Sequence, residues 1–435
     1  MSLNVVINTT SNVSAWDIRH VEEPSHLLKL QLEKLMTEDQ IPHFMEGVKR
    51  AFGSMTIEEI SLLTGGRGTS KILKFKQKGK EYVCRMTDSQ RPDFFINSSQ
   101  EIQRMSLANK LQLTPKVHYA DEKTGVLIMD YVQDTHLTTQ IVKYPTSCKK
   151  LHADLADQLR TLHSGPNFSE YTNIFVDVLK TAKATKAECM PPIACHVVKV
   201  VTDLEGVLEK YRTSVPSHKE LNSNNVLFDG KKIYFIDWES SANSDRFVDL
   251  AITSNFFIFD DAQEQLFLKR YFSRSPTEKE QAQLVLMKVV CLAFYGFKAM
   301  RRVTGVGKQD LSKQQVDFTA FPSYKEMLLN YFNGCTKVLS IDDFKMLTYV
   351  FLQEATDQIK SPKFQQALAV LRSTDIPISL EDLTPMRASE NTKPVVRPCK
   401  KCRGLKAAVV TGVLIAATVG LKILCFGNSN KTVTA

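Results

Sequence analysis

The sequence has little of what marks secreted, disulfide-stabilised or nucleic-acid-binding proteins. Its first residues, Met-Ser-Leu-Asn-Val-Val-Ile-Asn, place no basic region before an apolar core, so we expect no secretory signal. Its nine cysteines are scattered without a paired framework, which is typical of a reducing compartment. The net charge is +9, but residues 387–406 hold seven Lys or Arg against one acid and so supply +6 of it. The rest of the chain is nearly neutral, so we infer no nucleic-acid partner.

The most informative segment that is present is His218 to Asn225, which reads His-Lys-Glu-Leu-Asn-Ser-Asn-Asn and is followed by Ile-Asp-Trp-Glu at 236–239. Glu220 and Asn225 lie five residues apart, which is the spacing of the acid and the Asn in a kinase catalytic loop. Asp237 comes after an Asp-Gly turn and a short apolar strand at 232–236. An enzyme that holds Mg²⁺ against nucleotide phosphates needs a carboxylate at the acceptor hydroxyl, and a neutral oxygen and a second carboxylate at the metal. The pattern therefore predicts a phosphotransferase centre.

Each of these residues has a plainer interpretation when it is taken alone. His218 would then be a packed core histidine, and Asn225 would be a turn residue. The composite of loop, hairpin and Ile-Asp-Trp-Glu favours the functional interpretation. One position departs from the kinase pattern, because the usual acid is Asp and this chain has Glu220.

Two further segments carry a family resemblance. Leu155 to Ser164 is a helical stripe that ends in Leu-His-Ser, and Ser241 to Ala251 ends in Asp-Leu-Ala. With the central motif, they resemble the choline kinase and aminoglycoside phosphotransferase superfamily over roughly Ile57 to Phe272, with helical continuation to about Ser379. The resemblance implies an α+β, bilobal protein-kinase-like fold, with a small five-stranded lobe and a larger helical lobe. It also implies ATP- and Mg²⁺-dependent phosphorylation of a small-molecule hydroxyl, on a choline- or ethanolamine-like amino alcohol or an aminoglycoside-like acceptor.

The resemblance assigns roles to individual residues. Asn225 and Asp237 are expected to bind the metal, with Glu239 assisting, and Glu220 is expected to accept or orient the acceptor hydroxyl. His218 is expected to support the catalytic loop, and Asp249 to hold it in place.

In the N-terminal lobe, a glycine-rich turn at 64–70 reads Thr-Gly-Gly-Arg-Gly-Thr-Ser and joins two predicted strands. Glycines let the backbone approach phosphate closely, so this turn is predicted to contact the nucleotide, although Gly-Gly also favours a plain hairpin loop. The candidate contacts are Gly65, Gly66, Gly68 and Ser70.

Arg85 lies where protein kinases place the Lys of the third strand, and its planar fork suits phosphate oxygens. We expect Glu101, on a helix over Asn97 to Leu111, to be its partner. Otherwise both would be solvated surface charges. Met129 and Val132 flank the expected hinge between the lobes and are candidates for adenine contact by position alone.

A choline site requires an aromatic cage, because π faces hold a quaternary ammonium. The chain has only two tryptophans, Trp16 and Trp238. Other aromatic side chains of the C-terminal lobe are candidates, although such residues in apolar helices more often belong to a core: Phe294, Tyr295, Phe297, Tyr324 and Tyr331. The apolar helix at 285–297 is predicted to be core, since its uncharged run is too short to cross a bilayer.

The C-terminal sequence predicts a membrane anchor. Ala407 to Leu421 carries no charge, Lys422 interrupts, and the apolar run resumes to Phe426, which gives about 20 residues. The basic flank indicates a cytosolic body and a single-pass tail anchor. A soluble apolar helix is the alternative.

Gly412, Ala416 and Gly420 lie four apart, which suits a helix–helix contact in lipid and a homodimer. Cys399 and Cys402 lack further ligands for a zinc site.

The predicted organisation is a helical extension at 1–52, an N-terminal lobe at 53–133 and a C-terminal lobe at 134–385. A basic linker at 386–406, a membrane segment at 407–426 and a tail at 427–435 follow.

Two other functions stay open. Glu220 is compatible with a membrane-tethered pseudokinase that binds nucleotide or a partner without turnover, and a protein acceptor is disfavoured because no Ala-Pro-Glu motif is present.

Overall fold

The computed structural model describes residues 26–63, 70–87, 94–135, 137–144, 148–185, 189–313, 316–331 and 339–372. Gly65, Gly66 and Gly68 of the predicted phosphate turn lie outside these residues, as does Trp16. The predicted linker, membrane segment and tail at 386–435 also lie outside them.

The N-terminal lobe is built on an antiparallel sheet of five strands in the order β1-β2-β3-β5-β4. Its strands are β1 (Glu59–Leu62), β2 (Lys71–Gln77), β3 (Lys80–Met86), β4 (Val117–Asp121) and β5 (Val126–Asp130). Tyr82, Cys84 and Met86 alternate along β3 and are buried on one face of the sheet. Because successive strand residues point to opposite faces, Arg85 lies on the other face.

Two helices, α1 (His26–Leu35) and α2 (Gln40–Phe52), cover the first face of this sheet. Leu32 and Phe44 from the helices share one core with Phe75 and Ile128 from the strands. Gly47 of α2 allows this close packing, because a Cβ there would lie 3.1 Å from the Tyr119 ring. The sequence predicted one helix in this extension, and the structure has two. A third helix, α3 (Phe94–Lys110), connects β3 to β4.

The C-terminal lobe is mainly helical, as expected. Its helices are α4 (Leu137–Lys143), α5 (Cys148–His163), α6 (Ile174–Lys183), α7 (Pro192–Leu208), α8 (Arg246–Phe257), α9 (Asp261–Phe272), α10 (Glu278–Arg301), α11 (Tyr324–Tyr331), α12 (Ile341–Lys360) and α13 (Pro362–Leu371). Two short strand pairs interrupt them: β6 (Ser214–Ser217) with β9 (Ala242–Asp245), and β7 (Val226–Phe228) with β8 (Ile233–Phe235).

Helix α10 forms the centre of this lobe and packs against α6, α8, α12 and α13. It begins with a capping box between Thr277 and Glu280, and Gly296 lets Leu352 of α12 approach its backbone. Within the described residues, the helical stretch Glu278–Val306 is the single one with the length and apolarity of a membrane span, and 78% of its apolar window is buried. That burial identifies it as a core helix, as the sequence predicted.

Candidate active site

Two strand pairs hold the predicted catalytic loop in place. Strand β6 ends at Ser217 and leads into His218, while the hairpin β7–β8 begins directly after Asn225. The Ile236 amide donates to the Asn225 carbonyl over 3.0 Å, which extends the hairpin by one more pair. Asn225 and Asp237 therefore lie side by side at the open end of the hairpin.

Asn225 is oriented by the loop that precedes it. Its Nδ2 donates to the Glu220 carbonyl oxygen over 2.9 Å, and the Asn222 amide donates to the same oxygen over 2.8 Å. Because Nδ2 makes this hydrogen bond, the amide oxygen Oδ1 of Asn225 keeps its lone pairs available. Oδ1 is therefore the atom of Asn225 that can coordinate a cation.

His218 and Asp249 fix the backbone around this loop. Asp249 is fully buried and accepts hydrogen bonds from the His218 amide over 2.7 Å and the Lys219 amide over 2.6 Å. It also lies 3.1 Å from His163 Nε2. His218 Nε2 lies 3.0 Å from the Ile236 carbonyl, which can only accept, so Nε2 carries the hydrogen. Burial lowers the pKa of His218 despite the nearby Asp249 carboxylate, and a neutral ring fits this supporting contact.

Two residues of the site have backbone conformations that L side chains seldom adopt. Lys219 has φ of 69° and Asp237 has φ of 66°, both in the left-handed region. Such conformations persist where the surrounding structure imposes them, and they cluster at functional sites. Here the Asp249 carboxylate holds the Lys219 amide, and the hairpin holds the residue before Asp237.

Both carboxylate oxygens of Glu220 have partners. Oε1 forms an ion pair with Lys298 Nζ, and Ser240 Oγ donates to Oε2 over 2.9 Å. Burial opposes ionisation of Glu220, but Lys298 and Ser240 outweigh it and hold the pKa of this carboxyl below its ordinary value. Glu220 is therefore an ionised carboxylate at neutral pH.

Arg85 and Glu101 meet on the sheet face opposite the α1–α2 core. Arg85 Nη1 donates to Glu101 Oε1 over 2.6 Å, and a second bond joins Nη2 to Oε2, so the pair is bidentate. Arg85 Nη1 also lies 4.0 Å from Asp237 Oδ1. Burial, reinforced by the Glu220 carboxylate, raises the pKa of Asp237 to about 7, although 45% of its side-chain surface remains exposed. A divalent cation bound at this position would act in the opposite direction.

The donor set fits Mg²⁺. Among the described residues, no group of three or more His, Cys, Asp and Glu side chains is placed to hold a metal. Mg²⁺ does not require such a cage, because it is usually held by one or two carboxylates together with phosphate oxygens and water. An amide oxygen from Asn225 and a carboxylate from Asp237 match that requirement.

Arg104 of α3 is a buried side chain whose role was not predicted from the sequence. Its Nη1 donates to the Glu239 carbonyl over 2.7 Å, and its Nη2 lies 3.0 Å from Glu170 Oε2. The side chain of Glu239 is exposed, and its backbone carbonyl is what Arg104 holds. Arg104 therefore joins α3 of the N-terminal lobe to the segment that follows Asp237.

The structure thus brings Arg85, Glu101, Glu220, Asn225 and Asp237 together. The other described candidates for nucleotide contact belong to the sheet and to the segment after it: Ser70 directly precedes β2, Met129 is buried in β5, and Val132 follows that strand. Lys298 was also missed, although the sequence holds a signal for it, because it is the first charge after the uncharged run 289–297.

The candidate aromatic cage is mostly core. The Tyr295 ring stacks on Phe351 with centroids 5.5 Å apart, and Phe297 is fully buried. Tyr324 packs on Phe351 as well. Phe294 differs, because Lys298 Nζ lies 5.7 Å from the centre of its ring.

Comparison with known proteins agrees with the fold described above. The model of a phosphotransferase enzyme family matches residues 59–283, just over half of the chain. A choline/ethanolamine kinase family protein from Mesorhizobium loti superposes with a TM-score of 0.58 at 18% identity, over 78% of this chain and 99% of that one. Choline kinase LicA from Streptococcus pneumoniae gives 0.53 at 17% identity, over 74% and 99%. Choline kinase from Cryptosporidium parvum Iowa II gives 0.52 at 14%, over 76% and 98%. These likenesses concern the fold, and no curated protein sequence matches significantly.

Proposed function

Because this chain belongs to the phosphotransferase enzyme family, we propose that it transfers the γ-phosphoryl group of ATP to a hydroxyl of a small molecule. The observation that carries the proposal is the placement of Asn225 and Asp237 at the same end of one hairpin, with Glu220 in the loop that leads into it. This arrangement provides a neutral and an anionic oxygen for a metal, and a separate carboxylate for the acceptor.

The side chains of the site would bind the metal and the phosphates separately. Asn225 Oδ1 and the Asp237 carboxylate would hold Mg²⁺, with Glu239 assisting. When bound, Mg²⁺ would neutralise negative charge on the nucleotide phosphates. Arg85, held by Glu101, would direct its fork at phosphate oxygens.

The nucleotide would be held between the sheet and the hinge. The glycine-rich turn and the hinge supply its remaining candidate contacts: Gly65, Gly66, Gly68, Ser70, Met129 and Val132. In the transfer, the acceptor oxygen forms a bond to the γ-phosphorus as the bond to the ADP oxygen breaks. The hydroxyl proton passes to the Glu220 carboxylate.

Substitution of Glu220 tests its proposed role. Glu220→Gln removes the proton acceptor and is expected to lower kcat by about 10²- to 10⁴-fold, which is the usual contribution of a general base. Glu220→Asp shortens the side chain by about 1 Å and is expected to lose on the order of a hundredfold. Steady-state kinetics with a coupled ADP assay measures both. Exposed Glu122 supplies the matched control, Glu122→Gln, and full activity in Glu220→Gln would refute this role.

One observation favours the pseudokinase alternative. Lys298 and Ser240 each engage one oxygen of Glu220, so an acceptor hydroxyl would have to compete with both of them for the carboxylate. In that case the wild type and the two Glu220 variants would all fail to turn over, while ATP with Mg²⁺ still raises the melting temperature of each.

Membrane tethering is a separate part of the proposal. Its support is the uncharged run at 407–421 behind the basic linker at 386–406. The full-length protein is expected to stay in the membrane pellet after an alkaline carbonate wash. Leu414→Lys, which costs about 3 kcal/mol at the centre of a span, is expected to enlarge the released fraction, and Asn428→Lys outside the span is not. Complete release of the wild type would exclude an integral segment.

A further inference from the structure

Lys298 brings a positive charge to the acceptor side of the proposed site. Its Nζ pairs with Glu220 Oε1 across 78 residues of sequence, and its side chain is 50% exposed. A lysine in the last turn of a helix is already favoured by the helix dipole. The contact with Glu220 goes beyond that local effect, because it ties the end of α10 to the carboxylate that would orient the acceptor.

Two more cations extend this charge. Arg301 follows Lys298 by three residues and lies on the same side of α10, and Arg302 comes directly after the end of that helix. Both arginines are exposed. Within the described part of the chain, neither is paired with a carboxylate. An acceptor that approaches Glu220 along this side of α10 therefore meets a positive surface.

A cationic acceptor would bind poorly beside Glu220. A quaternary ammonium is held by aromatic faces and a carboxylate. Glu220 already carries a cation, Tyr295 and Phe297 belong to the buried core, and the Phe294 ring lies beside Lys298. A cationic acceptor would have to displace Lys298 from Glu220, and it would then lie beside the lysine, whose charge repels it.

We propose that the acceptor is a small hydroxy compound with a negatively charged group, a carboxylate or a phosphate, and that Lys298 is the residue that selects it. This inference rests on the proposed function and specifies its substrate class. The anionic group of the acceptor binds Lys298, with Arg301 and Arg302 beside it. Lys298 then releases Glu220 Oε1, and the freed carboxylate orients the acceptor hydroxyl. Acceptor binding and exposure of the base are thereby linked, because the anionic group of the acceptor competes with Glu220 for the Lys298 ammonium.

Titration calorimetry on the full-length protein tests this, with a non-hydrolysable ATP analogue and Mg²⁺ present so that the nucleotide site is filled. The probes share a three- or two-carbon hydroxylated skeleton and differ in charge: glycerate, glycerol 3-phosphate, glycerol and ethanolamine. At least one of the two anions is expected to bind about tenfold or more tightly than glycerol and ethanolamine. The two anions separate a carboxylate site from a phosphate site.

Variants of Lys298 identify the residue responsible. Lys298→Met is expected to remove the preference for the anion, and Lys298→Arg to retain most of it because the charge is kept. Lys279→Met is the matched control, since Lys279 is an exposed lysine in the first turn of the same helix. With any acceptor that is phosphorylated, Lys298→Met is expected to raise KM for the anion more than it lowers kcat.

The outcomes separate the inference from the function on which it rests. Failure of the ATP analogue to bind with Mg²⁺ would contradict the proposed function. If the analogue binds, the inference is overturned by tighter binding of ethanolamine, by no binding of either anion, or by an unchanged preference in Lys298→Met.

Discussion

Replacing Asp237 with alanine is expected to abolish Mg²⁺-dependent nucleotide binding and to lower turnover about a thousandfold or more. A catalytic metal stabilises the transition state by several kcal/mol, and each 1.4 kcal/mol corresponds to a factor of about ten in rate. Asp237 is the proposed anionic ligand beside Asn225, and its backbone at φ of 66° sets the direction of the carboxylate. Asn225 alone would leave a neutral amide, which holds Mg²⁺ weakly without a carboxylate.

A thermal-shift titration with ATP, in the presence and absence of Mg²⁺, measures the binding part of this prediction. The Asp237→Ala protein should fold normally, because 45% of that side chain is exposed and its removal relieves the repulsion from Glu220. Asp342→Ala, at an exposed position in the first turn of α12, is the control. A Mg²⁺-dependent shift that persists unchanged in Asp237→Ala would remove Asp237 from the metal site.

Replacing Asp249 with alanine is expected to lower the free energy of unfolding by about 3–5 kcal/mol, and activity with it. The substitution leaves the His218 and Lys219 amides and His163 without their buried acceptor. Removing one partner from a buried charged network costs this much, because the remaining polar groups stay desolvated and unpaired. The Lys219 backbone, held at φ of 69° through this contact, would then be free to relax.

The contribution of Asp249 to the free energy of unfolding is expected to decrease as the pH falls. Burial opposes ionisation of Asp249, but the hydrogen bonds to His163 and to the His218 amide outweigh it and hold its pKa below the ordinary value. A carboxyl with a lowered folded-state pKa stabilises the fold fully above about pH 4, and this contribution is lost as pH falls through the folded-state pKa. Urea unfolding of the wild type and Asp249→Ala should therefore differ most near neutrality and converge in acid. A constant difference down to pH 2 would contradict this account, and Asp342→Ala should show no such trend.

The sequence predicted the family and the core of the fold because both depend on local pattern. The resemblance to the choline kinase and aminoglycoside phosphotransferase superfamily is confirmed by the family match over 59–283. Strands β2 and β3 follow from alternation of buried and less buried residues around the Lys78-Gly79 turn, and β5 follows from its continuous apolar run Val-Leu-Ile-Met. The contact of Arg85 with Glu101 was predicted from the position of Arg85, which resembles that of the third-strand Lys of protein kinases, and the structure shows this contact.

The contacts of Lys298 and Arg104 could not be found in the same way. Lys298 reaches Glu220 across 78 residues, and Arg104 reaches Glu239 across 135. Neither pair has a local spacing rule, because each depends on how whole helices are placed in three dimensions. The acceptor class depends on the same placement, and this is why the amino-alcohol prediction rested on the resemblance alone.

The position of Lys298 at the end of α10 has a consequence for how enzymes of this architecture diverge. Most of α10 is fixed by packing, so substitutions along it disturb the whole lobe. Lys298 and Arg301 in its last turn are exposed, although Ala299 and Met300 between them are buried. Substitutions at exposed positions away from buried contacts usually change stability by no more than about 0.5 kcal/mol. If Lys298 selects the acceptor as proposed, a mutation that replaces its charge would alter which molecules are accepted. It would cost the ion pair with Glu220 but leave the packing of the helix in place. Substrate range can drift in such a protein while the scaffold and its phosphate chemistry are inherited intact.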